Sequence, residues 1–184
     1  MKLLELLLAN LFVVAEPHPA ELRRALAELL GLPEEAVDVA HQDWDMEGRN
    51  WAAPVLCTYC PLPPGDLALS LDISVTASAA GDLTEADLAR GIAAGVGSSV
   101  LYPAESYPPS AYWAAVPDGR SVRCSIEPIE TGYGTDAALF PFRVYETAEP
   151  VPDLPPPPHI PPTPPTPSPP TPEPPPPPSP PTPP

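Results

Sequence analysis

The chain has 184 residues, 24 acids against 8 Lys and Arg, a formal charge of −16, and 36 prolines. A surface of that sign repels phosphate backbones and anionic headgroups, which are held by clustered Lys and Arg, so nucleic-acid and membrane-surface partners are disfavoured. Of the prolines, 23 lie in 150–184, where a residue with no N–H and a fixed φ enters neither helix nor sheet. The reading is therefore one compact domain over 1–149, of ordinary single-domain size, followed by a disordered Pro-rich tail over 150–184.

The first fifteen residues are apolar. Leu3, Leu4, Leu7, Leu8 and Leu11 recur at helical spacing, whereas Phe12, Val13 and Val14 favour strand, so a short helix running into a strand is expected. The same stretch offers a competing reading as a signal peptide cleaved after Ala15, although Glu5 and Asn10 interrupt it. Pro19 to Leu30 is predicted helical: Leu22, Leu26, Leu29 and Leu30 form one stripe, Pro19 suits the first turn, and Gly31 supplies the stop.

Strands are predicted around Val37 to Ala40 and Val55 to Cys60. The clearest is Leu67 to Thr76, where Leu69, Leu71, Ile73 and Val75 alternate with Ser70, Asp72, Ser74 and Thr76. A second helix is expected from Thr84 to Val96, opened by the Thr84/Asp87 capping pattern and weakened in its second half by Gly91, Gly95 and Gly97, glycines that would suit close packing on the sheet. A strand over Ser99 to Tyr102 follows. A hairpin over Ala111 to Val116 and Ser121 to Ile126 comes next, with Val122, Cys124 and Ile126 inward, and then a last strand over Leu139 to Tyr145. The fold class is α+β, two helices packed on a mostly antiparallel sheet.

Three cysteines cannot all pair within one chain, which favours a reducing, cytoplasmic setting. Cys57-Thr-Tyr-Cys60 lies on a predicted strand, where residues three apart face opposite sides, so a redox pair or half a zinc site is disfavoured. Gly91 to Ser99 lacks the Lys and the spacing of a nucleotide loop, and no cofactor is expected.

The segment His41-Gln-Asp43-Trp44-Asp45-Met-Glu47-Gly48 carries the candidate site. Asp43, Asp45, Glu47 and Gly48 match the early positions of a calcium loop, but the twelfth position, normally a bidentate Glu, is Pro54. His41, Asp43, Asp45 and Glu47 thus make a weak metal or catalytic alternative. The preferred reading is a recognition loop, with Trp44 and Trp51 among the acids Asp43, Asp45 and Glu47, because exposed Trp is enriched at binding hot spots. No catalytic residue is assigned.

The expected function is a small, acidic, non-catalytic protein that binds a basic protein partner through that loop. In size and acidity the chain resembles bacterial immunity proteins, which neutralise basic toxin domains; the likeness is one of profile and rests on no motif. The alternative is a secreted or surface-attached domain whose Pro-rich tail is a stalk.

Overall fold

The computed structural model describes residues 5–43, 47–104, 108–130 and 140–156. They form eight strands and three helices: β1 (Leu6–Val13), α1 (Pro19–Leu30), β2 (Val37–His41), β3 (Val55–Pro61), β4 (Leu69–Thr76), α2 (Ala77–Ala80), α3 (Glu85–Val96), β5 (Val100–Pro103), β6 (Ala111–Ala115), β7 (Ser121–Pro128) and β8 (Phe142–Thr147). One sheet holds all eight strands in the order β2-β3-β4-β1-β5-β6-β7-β8. Only β2 and β3 run parallel; every other neighbouring pair is antiparallel. The expected mostly antiparallel α+β arrangement stands. The helix count is corrected from two to three by the one-turn α2, and a 3₁₀ turn over Glu34–Ala36 leads into β2.

The N-terminal reading is also corrected over the described residues; Leu3 and Leu4 lie outside them. Leu6–Val13 is strand throughout, paired residue for residue with β4 from Leu6↔Thr76 to Val13↔Leu69. Ala9, Leu11 and Val13 are buried and Leu7 packs against the same core, while Leu6 and Leu8 project to the other side. The helical spacing of the leucines lost to this period-two burial between two neighbouring strands. Because β1 joins the two halves of the sheet, a cut after Ala15 would remove its central strand.

The α1 helix starts and stops as its sequence demands. His18 is the N-cap: its Nδ1 accepts from Ala20 N at 3.1 Å, and Glu21 Oε2 accepts from His18 N at 2.8 Å. Gly31 ends it in the left-handed region at φ 64°. In α3, Thr84 and Asp87 form the reciprocal box, with Asp87 N donating to Thr84 Oγ1 at 3.3 Å and Thr84 N donating to Asp87 Oδ2 at 2.9 Å.

The glycines of α3 face α1 rather than the sheet. A methyl group on Gly95 would lie 2.5 Å from Ala25 Cβ and 3.2 Å from its Cα, and one on Gly91 would lie nearest the Leu29 side chain. Gly95→Ala is therefore expected to cost about 1–2 kcal/mol by prising the helices apart, despite the better helix propensity of Ala. Gly91→Ala, where a flexible side chain yields, is expected to cost less; urea denaturation of both variants gives the comparison.

The two cores lie on opposite faces of the sheet. Between β2, β3, β4 and β1 and the helices lie Val37, Val55, Cys57, Leu71, Ile73, Leu11, Leu22, Leu26, Leu88 and Ile92. The second core lies on the other face, where Phe12 is opposite Leu101, Leu101 opposite Ala114, and Ala114 opposite Val122. Cys124, Ile126 and Val144 extend it, and Leu62 and Leu67, which flank the β3–β4 turn, close it from above. That turn docks on β8: Asp66 N donates to Phe142 O at 2.8 Å and Val144 N donates to Asp66 Oδ2 at 2.8 Å. The approach is close enough that a Cβ on Gly65 would sit 2.7 Å from Phe142 O.

Packing continues past Glu149. Val151 and Leu154 are buried in the second core. Asp153 accepts from Ser99 N at 2.7 Å, Ser99 Oγ at 2.6 Å and Ser98 Oγ at 3.3 Å. Of the tail assigned to 150–184, residues 157–184 lie outside the described residues.

Candidate functional site

The connection between β2 and β3 spans the outer end of the sheet, on the face away from the helices. Strand register fixes that face: Val39 and Cys57 point to the helix-side core, so Asp38, Ala40, Leu56, Thr58 and Cys60 point the other way. Cys57 and Cys60 are on opposite sides, as a strand spacing of three requires. Burial pushes the Cys57 thiol up to about 12, against a smaller opposing pull from Arg49, with Asp72 and Asp38 adding to the rise. Burial also raises Cys60, as does the charge of Asp43. Cys124 is buried in the second core, and burial pushes it to about 12 against a pull from Arg123. None has the depressed pKa of a reactive thiolate.

Arg49 lies across this face and anchors the connection. Its Nε donates to Asp38 Oδ2 at 2.8 Å and its Nη1 to Thr58 Oγ1 at 2.6 Å; its side chain is 2% exposed. Among the described residues Nη2 is buried without a hydrogen-bond partner. Asp38 also accepts from Asn50 N at 3.1 Å, so one carboxylate fixes two successive loop residues. Asn50 in turn shapes a turn, with Ala52 N donating to its Oδ1 at 3.2 Å and Ala53 N to its carbonyl at 3.0 Å.

Trp51 rests on this anchor. Its ring lies 5.0 Å from the Arg49 guanidinium carbon, and the residue is still 59% exposed. An open cleft of about 350 Å³ is lined by Arg23, Glu34, Glu35, Val37, Asp38 and Asn50, the last being the chain neighbour of Trp51.

Asp43 and Glu47 are exposed, and Asp43 N donates to His41 Nδ1 at 3.1 Å. His41 is buried, edge-on to Tyr59 with ring centres 5.2 Å apart. Trp44 and Asp45 lie outside the described residues. Among the described residues no group of three or more His, Cys, Asp or Glu side chains is placed to hold a metal ion.

Sequence reading did not find Arg49, Asp38, Asn50, Glu34 or Glu35. The retrievable signal was Arg49-Asn-Trp51, a lone cation and an Asx-turn residue beside an aromatic in an acidic stretch. The pairing to Asp38, on the neighbouring strand, had no local trace.

No family model matches the chain, and neither a curated protein nor a solved structure does. Among the described residues no helix is long and apolar enough to cross a membrane.

Proposed function

We propose that the protein is a non-catalytic binding module that takes a basic protein partner on the β2–β3 connection. The observation that carries this reading is Trp51: a large ring, mostly exposed, held in place by a buried guanidinium that is itself fixed at two atoms. An exposed aromatic on a rigid support binds without a large ordering cost, which is the profile of an interface anchor. The exposed carboxylates of Asp43 and Glu47, and of Glu34 and Glu35 at the adjacent cleft, set the sign of the partner.

Charge then governs encounter and Trp51 governs residence. After capture of a partner from the native host at about 0.15 M salt, where the Debye length is about 8 Å, binding kinetics are measured on variants. Trp51→Ala is expected to speed dissociation roughly thirtyfold, the equivalent of about 2 kcal/mol, with association little changed. Asp43→Asn with Glu47→Gln is expected to slow association and flatten its salt dependence. Retention of nothing at that ionic strength, or equal binding by both variants, rejects the reading.

A further inference from the structure

The sheet has a notch. β1 is eight residues long, yet β5 pairs with it only at Phe12↔Leu101 and Val13↔Val100. The register explains where the ladder stops. Ala77 N donates to Glu5 O, which makes the odd-numbered residues of β1 the ones bonded to β4. Leu6, Leu8, Asn10 and Phe12 therefore direct their N–H and C=O groups to the opposite edge, and Val14 N donating to Ser99 O on that side agrees. Extending the register puts Pro103 opposite Asn10, and β5 ends there.

A carboxylate stands in for the missing strand. Asn10 N donates to Glu85 Oε2 at a long 3.3 Å, and burial raises the Glu85 pKa while that one bond lowers it. Beyond it, no described strand pairs with the edge at Leu6 and Leu8, and these residues are 47% and 60% exposed, their side chains on the open face. Unpaired strand edges with apolar side chains are templates for another strand.

Charge and backbone chemistry select the occupant. A second copy paired through β1 would bring Glu5 and Glu85 of each copy together, and the sole cation of α3, Arg90, already pairs with Asp87 at 3.0 Å. The chain's own Pro-rich segment lacks the N–H groups a ladder requires. We propose that the edge of β1 from Leu6 to Asn10 accepts an extended segment of a partner protein as an added antiparallel strand, with apolar side chains against Leu6 and Leu8 and a Lys or Arg against Glu85. The surface is distinct from Trp51 and stands whether or not the loop reading does.

The test uses the full chain and labelled ten-residue peptides at about 0.15 M salt. A peptide alternating Val and Lys is expected to bind, and one alternating Val and Glu is not. In an antiparallel addition the residues facing Leu6 and Leu8 are the ones that exchange hydrogen bonds with them. N-methylation at the Val positions should therefore weaken binding at least about tenfold, the cost of losing two such bonds, while N-methylation at the Lys positions leaves it within about threefold. Glu85→Gln should weaken the Lys peptide and flatten its salt dependence, Leu8→Lys should abolish binding, and Trp51→Ala should change nothing. The backbone amide resonances of Leu6 and Leu8 should shift on titration. Absence of binding by the Val–Lys peptide, equal binding by the two N-methylated isomers, or a concentration-dependent dimer that Leu8→Lys dissolves would overturn the proposal; the last result would assign the edge to a second copy.

Discussion

A chain ending at Glu149 is expected to be far less stable than one ending at Pro156, and thermal melting of the two truncations measures the difference. The shorter form loses Leu154 and Val151 from the second core and the Asp153 carboxylate from Ser98 and Ser99. Deleting a buried leucine side chain costs about 2–5 kcal/mol, and Leu154, at the margin of its core, belongs at the low end. Removing Asp153 leaves the buried Ser99 N–H and hydroxyl without their acceptor, which adds about 1–3 kcal/mol. The sum approaches the whole stability of a marginal domain, so the 1–149 form should melt at least about 10 °C lower or fail to fold. Leu154→Ala and Asp153→Asn in the full chain divide the effect between core and hydrogen bonds. Limited proteolysis should accordingly leave residues 150–156 attached to the domain. Equal melting of the two truncations would mean that residues 150–156 contribute nothing.

The second large effect is expected at Arg49. Arg49→Ala leaves Asp38 and Thr58 without the group they bind and exposes the underside of Trp51. Breaking a buried pair from one side costs about 3–5 kcal/mol; because the Asp38 side chain is 17% exposed, about 2–3 kcal/mol is expected here. Arg49→Lys keeps the charge but loses the planar fork, and should recover only part of the loss. The double variant Arg49→Met with Asp38→Asn should be more stable than Arg49→Ala alone, since no uncompensated carboxylate remains. Urea denaturation of the set tests this, and Arg49→Ala at wild-type stability would remove the anchor argument.

How far the sequence announced this structure depended on whether a residue's environment was local. The α1 stripe, with Pro19 before it and Gly31 after it, is written within thirteen residues, and helix and caps lie where the pattern puts them. The Leu69–Val75 alternation is equally local, because one face of β4 is dry and the other is not. β1 is the opposite case. Leu6 and Leu8 occupy its open face, so apolar residues on both sides hid the period of two, and Ala9 is too small to restore it. The same two leucines that obscured the strand mark its free edge. The inner residues Val122, Cys124 and Ile126 were legible, but not that they face away from the helices; that follows from the curl of the whole sheet. At the candidate site, the Trp and acid content was visible. The Arg49–Asp38 contact was not, because it joins a loop to a strand eleven residues earlier.

The position of β1 also has a temporal consequence. It precedes every other described strand in chain order, yet its partners are β4, at Leu69–Thr76, and β5, at Val100–Pro103. Pairing on one side cannot begin until Leu69 has been synthesised, and pairing on the other waits for Val100. At typical translation rates of about 5–20 residues per second, Leu6–Val13 waits several seconds as an unpaired apolar segment. Contacts of such long sequence separation also slow folding once the chain is complete. The nascent protein is thus exposed to misassociation through Leu6–Val13, and its dependence on chaperones should lie there.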